Sequence, residues 1–174
     1  MPFFTPNPYP DMMVDIETLS TRPNAAIISI AAIPFSAEKG TYSPDQFYVE
    51  IGGDLYPNNF HIDPKTIAWW ERQSIARPTG NETPNDSLQH FQEYLIQQAP
   101  IYLWANSPSF DLVILKEAFR FYEIPWPHDF WNERDVRTIR ALGTTPKFKP
   151  THNALQDCLL QIHAVCNTLK EIRQ

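Results

Sequence analysis

The spacing of apolar and polar positions changes character partway along the chain. Up to residue 52 the apolar runs are short and strand-like: "MMVDIETL" from residue 12, "AAIISIAAIPFS" from residue 25 and "DQFYVEIG" from residue 45. Phe47, Val49 and Ile51 alternate with polar neighbours, the period of a half-buried strand. "STRPN" supplies turn residues between the first two runs. The second run is apolar in both phases and predicts a central strand covered on both faces.

Beyond residue 60 the period becomes helical. "DPKTIAWWERQ" opens with Asp63 as a cap and Pro64 at the first helical position. In "NDSLQHFQEYLIQQ", Leu88, Phe91, Tyr94 and Leu95 share one face. A fourth strand, "IYLWAN", leads into "SPSFDLVILKEAFRFYEI", a helix expected to be capped near Ser109. "NERDVRTIRAL" reads as a short strand with a helical turn. The final helix, "HNALQDCLLQIHAVCNTLKEIRQ", is expected to bury Leu155, Leu159, Ile162 and Val165. Strands first, then strands alternating with helices, predict an α/β fold with a mixed sheet flanked by helices.

Composition narrows the class. A chain of 174 residues that is 43% hydrophobic fits one domain over residues 1–174, with a proline-rich lead at 1–10. The longest apolar run, at 25–35, is shorter than the roughly 20 residues that span a bilayer, and no signal peptide is evident. A soluble intracellular protein, without a membrane partner, is expected. Cys158 and Cys166 lie about 12 Å apart if both are helical, too far for a disulfide. A net charge of −6 argues against a broad basic surface that coats duplex nucleic acid. It leaves room for a small site at which divalent cations neutralise phosphate.

The candidate chemistry begins with Asp15 and Glu17. Two residues apart on a strand, they project from one face about 6.6 Å apart along the chain. They are either wetted on an open strand face or gathered around a hard cation, for which Mg²⁺ is the usual candidate. Asp111 follows an apolar strand where it hands over to a helix, a position that suits both a helix N-terminal acid and a site at a sheet end. His152 and Asp157 are five residues apart, which turns a helix by about 500° and would point them about 140° apart. His152 must therefore precede the first helical turn if it is to face the same place as Asp157.

The order Asp-x-Glu, Asp, His-x4-Asp resembles the DEDDh branch of the DEDD superfamily of 3′-to-5′ exonucleases, which have a ribonuclease H-like fold. The resemblance runs from residue 12 to about 165 and is strengthened by "DIETLS", "TIAWWERQ", "WANSPSFD" and "ERDVRT". It is similar above all to small stand-alone phage and bacterial exonucleases. The sister branch has a tyrosine four residues before the last acid, where this chain has Asn153. The resemblance implies Asp15, Glu17, Asp111 and Asp157 as metal ligands for two Mg²⁺ ions, with Mn²⁺ as a substitute. It implies His152 as the base, and a single-stranded nucleic acid with a free 3′ end as the partner, cut to nucleoside 5′-monophosphates.

The same resemblance assigns Thr18 and Leu19 to the terminal nucleotide, by backbone contact and an apolar wedge, and brings Asn106 and Phe110 into the substrate-binding set with Trp70. Trp69, Trp70, Trp104 and Phe110 offer rings for base stacking. Core packing is the competing role, expected at Trp104 and at one of the adjacent tryptophans. Arg134, Arg137, Arg140, Lys147 and Lys149 either approach phosphates or form a solvated face. A homodimer is compatible with related small exonucleases. The alternative functions are a catalytically silent nucleic-acid or protein interaction module on this fold, and an endonuclease or other phosphodiester hydrolase. Ribose or deoxyribose preference is not legible at this level.

Overall fold

The computed structural model describes residues 7–174, so residues 1–6 of the proline-rich lead lie outside the described residues. The chain forms β1 (Asp11–Thr18), β2 (Ile27–Ser36), β3 (Thr41–Tyr42) and β4 (Phe47–Glu50) before its first α-helix. Then come α1 (Pro64–Trp70), α2 (Pro84–Gln98), β5 (Tyr102–Ala105), α3 (Asp111–Phe121), β6 (Glu133–Asp135), α4 (Val136–Arg140) and α5 (Ala154–Ile172). The six strands make one mixed sheet in the order β3-β2-β1-β5-β6, with β4 also paired to β2. β1 runs antiparallel to β2 and parallel to β5, which in turn is parallel to β6.

Strand alternation decides what each face carries. Met12, Val14 and Ile16 of β1 point to the layer of α2 and α3, where Leu88, Phe91, Leu112, Leu115 and Phe119 close the larger core. Met13 points the other way, to a smaller core with Ile33, Phe35, Trp104, Cys158, Ile162 and Val165 under α5. By the same alternation Asp11, Asp15 and Glu17 belong to the α5 side. Every residue of β2 is buried, as its unbroken apolar run predicts.

Several boundaries differ from the sequence reading. The third strand stops at Glu50; Ile51 makes only an isolated bridge to Glu82, and the two-residue β3 was not expected. α1 ends at Trp70, short of Gln73. α3 begins at Asp111 with no side-chain cap bond, because the Ser109 hydroxyl pairs with that of Ser107 at 2.6 Å. On α5 the buried apolar positions are Ala154, Cys158, Ile162, Ala164 and Val165, while Leu155 and Leu159 pack half-buried at its edge. The buried stripe is rotated because Asp157, Gln161 and Thr168 also face inward. Cys158 and Cys166 are free thiols, the first buried and the second half-buried. Among the described residues no helix is long and apolar enough to cross a membrane.

Candidate active site

The parallel ladder between β1 and β5 ends at Met13 and Trp104, so β1 continues alone on that side toward Thr18. A lone strand edge leaves backbone donors to be satisfied. The Ile16 N–H donates to Asp111 Oδ1 at 3.2 Å, which ties the first residue of α3 to the strand that carries Asp15 and Glu17. Across the antiparallel pair, Asp15 stands opposite Ala31 and Glu17 opposite Ser29, both small, and this leaves room beneath α5 for the carboxylates.

The fourth acid comes from α5. Asp157 accepts from the Thr151 N–H at 2.7 Å, the Thr151 hydroxyl at 2.8 Å and the His152 N–H at 3.0 Å, so the loop before the helix is folded around it. Asn153 is the N-cap, accepting from the Gln156 N–H, and His152 precedes it with φ of 60°. That left-handed residue lies outside the helix, as the angular argument required for His152 and Asp157 to converge. Ligand atoms of Glu17, His152 and Asp157 lie within 4.8 Å of one another. The imidazole packs edge-on against Trp69, with centroids 4.7 Å apart, and more loosely against Trp70 at 6.3 Å.

Gathering the acids has a clear electrostatic effect. Burial, followed by the charges of Asp111 and Glu17, drives Asp15 well above the usual carboxylate range. Glu17 is pushed up to about 8, first by burial and then by Asp157 and Asp111. Asp111 is raised to about 7 by burial, against the Ile16 hydrogen bond and the charge of Arg137. None of the ion pairs among the described residues reaches these four side chains. Hard oxygen donors held together and destabilised as anions fit divalent cations, and Mg²⁺ or Mn²⁺ suits such a donor set.

A groove of about 450 Å³ opens beside Glu17, bounded by Thr18, Lys65, Trp69, Trp70 and Phe110. Leu19 lines a neighbouring cavity of about 360 Å³ with Ile28, Ile62 and Ile67. Thr18 and Leu19 are only 7% and 4% exposed, so they form the floor between two hollows and do not stand out as a projecting wedge. Trp70 is 3% exposed and its indole N–H donates to the Thr18 carbonyl at 3.1 Å. Trp70 thus takes the core role expected at one of the two adjacent tryptophans while also lining the groove, and the half-buried Trp69 is the more open face. Trp104 is core, with its indole N–H donating to Asp11 at 2.8 Å. Asn106 is half-buried and its Oδ1 has no partner among the described residues. Arg134 lies over Tyr102 and Arg140 over Phe148, so these two are engaged in packing, whereas Arg137, Lys147 and Lys149 are exposed.

Sequence reasoning missed Thr151, Asp11 and Gln161. Gln161 is 1% exposed and its Nε2–H donates to Asp15 Oδ1 at 2.6 Å. Its spacing of four from Asp157 was the available signal, since such pairs share a helix face. Asp11 secures the start of β1 by accepting from Trp104 and from the Ala37 N–H.

A family model described as the 3′-5′ exoribonuclease Rv2179c-like domain matches residues 10–169. An exodeoxyribonuclease of Enterobacteria phage T4 is 26% identical over 195 residues, covering 87% of this chain and 86% of its own. Among solved structures, E. coli exonuclease I with a dA16 oligonucleotide superposes with a TM-score of 0.67 at 14% identity, over 93% of this chain and 41% of that one. The same enzyme with a dT13 oligonucleotide gives 0.65 at 13%, over 94% and 41%. At that identity the likeness is one of fold, and this chain spans about two fifths of the length of exonuclease I.

Proposed function

Because the chain belongs to the 3′-5′ exoribonuclease Rv2179c-like family, whose members are 3′-to-5′ exonucleases, we propose that it hydrolyses single-stranded nucleic acid from the 3′ end. The products are nucleoside 5′-monophosphates. The observation that carries this reading is the convergence of Asp15 and Glu17 from β1, Asp111 from α3 and Asp157 from α5, with Asp15 and Glu17 pushed toward protonation by burial and then by neighbouring acids, and Asp111 by burial.

Two divalent cations at these acids would supply the positive charge that activates a water and stabilises the leaving oxygen. Asp15, Glu17 and Asp157 would hold them, with Asp111 completing the set directly or through water. His152 takes the proton of the attacking water at a ring nitrogen, which requires the neutral imidazole. Its place before α5 leaves that ring free to move, and Trp69 limits where it rests. The groove beside Glu17 takes the terminal nucleotide: Trp69 and Phe110 offer faces to a base, Lys65 a charge to phosphate, and the buried Thr18 and Leu19 set its depth. Asn106 Oδ1, which has no partner among the described residues, is an acceptor for a sugar hydroxyl.

The test is a time course on 5′-labelled single-stranded DNA and RNA with Mg²⁺ or Mn²⁺, with chelator and Asp15→Ala controls. A metal-dependent ladder that shortens from the 3′ end is expected, and the faster substrate gives the sugar preference. Internal cuts would point to an endonuclease. Intact oligonucleotides with folded, metal-loaded protein would favour the interaction module.

A further inference from the structure

The mechanism needs Asp15 to present a defined edge of its carboxylate, yet β1 itself does not fix that torsion. The side chain stands on a strand opposite Ala31, which is too small to restrain it from across the sheet. The only side-chain donor that reaches Asp15 among the described residues is Gln161, from 146 residues away in the chain. Gln161 lies one helical turn beyond Asp157, on the inward face of α5.

We propose that Gln161 is a positioning residue for the acidic site: its amide N–H holds Asp15 Oδ1 and so turns Oδ2 toward the shared cluster. The inference rests on the metal-dependent reading above and adds to it. Three observations support it. The bond is short, at 2.6 Å, and its donor is almost wholly buried, so water does not compete for it. The other end of the same amide, Oε1, is buried without a partner among the described residues, as is the hydroxyl of Ser29, which stands opposite Glu17 in β2. A side chain kept there for packing alone is better served by an apolar residue, since a buried unpaired carbonyl loses its hydration without a hydrogen bond in return. The amide is retained at that cost because its donor end acts on Asp15.

The geometry also couples two acids rigidly. Asp157 and Gln161 are fixed to one helix, so whatever places Asp157 relative to Glu17 also places the donor relative to Asp15. Thr151 and His152 hold Asp157 from the loop, and Gln161 holds Asp15 from the helix. The two carboxylates are thus oriented by one structural unit, α5 with its leading loop.

The experiment compares the parent protein with Gln161→Met, which keeps the length of the side chain without a donor, and Gln161→Asn, which keeps the amide but falls short. Mn²⁺ binding is measured by calorimetry, melting temperature is measured in chelator, and kcat and KM are measured on a single-stranded oligonucleotide. Expected for Gln161→Met is a loss of about 10–100-fold in Mn²⁺ affinity, in line with other outer-shell partners of metal ligands. The fall in activity should appear in kcat and be partly recovered by raising Mn²⁺. Gln161→Asn should fall between the two. Unchanged Mn²⁺ affinity in a folded Gln161→Met protein would overturn the proposal. So would a folded Gln161→Asn protein with parental affinity, should the methionine variant fail to fold. A parent protein that binds no Mn²⁺ would instead sink the metal-dependent reading itself.

Discussion

Glu17 offers the sharpest test of the electrostatic argument, because the substitution Glu17→Gln should make the metal-free protein more stable while destroying its purpose. An ordinary glutamate has a pKa of 4.5, and in this fold Glu17 is raised to about 8. The difference, about 3.5 pH units at 1.36 kcal/mol each, is about 5 kcal/mol against the folded anion. At pH 8 half of Glu17 holds a proton, which lowers the penalty to about 4 kcal/mol. Protons are shared among Asp15, Glu17 and Asp111, so roughly half of that, about 2 kcal/mol, is expected from neutralising Glu17 alone. For a chain of this size 1 kcal/mol moves the melting temperature by about 2–4 °C, so Glu17→Gln should melt about 4–8 °C higher at pH 8 in chelator.

The direction with pH is fixed. A carboxylate whose folded pKa is raised contributes stability that is full below its unfolded pKa, here 4.5, and lost as pH rises through about 8. The advantage of the glutamine should therefore shrink to under about 2 °C at pH 5, where the parent is already largely protonated. Scanning calorimetry at the two pH values, with and without Mg²⁺, reads both quantities. A variant that melts below the parent at pH 8, or gains equally at both pH values, would refute the reasoning.

The remaining expectations follow from the same geometry. In the parent protein the rise in melting temperature on adding Mg²⁺ should grow between pH 6 and pH 8.5, because Asp111 and Glu17 lose their protons in that window; a metal effect that is flat with pH would contradict it. Asp157→Asn should cut Mn²⁺ affinity at least tenfold by calorimetry. His152→Ala should reduce kcat by about 10²–10⁴ with metal affinity largely kept; an affinity loss equal to that of Asp157→Asn would make His152 a ligand instead. Trp69→Ala should raise KM for a single-stranded oligonucleotide, with a binding loss of about 1–3 kcal/mol if a base stacks there, read by fluorescence titration; parental KM would confine Trp69 to packing against His152.

How far the sequence reached depended on range. β2 and the four expected α-helices were legible because hydrophobic period is a local signal, and the cap at Asp63 follows local chemistry. The convergence of Asp15, Glu17, Asp111, His152 and Asp157 was legible from their order. Placing His152 outside the helix needed only the pitch of a helix. What escaped depended on contacts between distant segments. Gln161 looks like an ordinary polar helix residue until α5 is laid across β1. Which of the two adjacent tryptophans is the buried one was settled only by the Thr18 carbonyl, which accepts the Trp70 N–H. Leu155 and Leu159 misled because apolar periodicity ignores buried polar residues, and on α5 it was Asp157 and Gln161 that set the rotation.

The parentage of the site also bears on synthesis. The hydrogen bond from Gln161 to Asp15 closes a separation of 146 residues, and Asp157 and His152 belong to the same late segment. A ribosome makes β1 early and α5 long afterwards, so a nascent chain carries two of the acids for most of its translation without their partners. Under the proposed activity such a chain is inert toward the messenger that encodes it. On that reading a truncated product that stops short of α5 lacks Asp157, His152 and Gln161 together, and is disarmed.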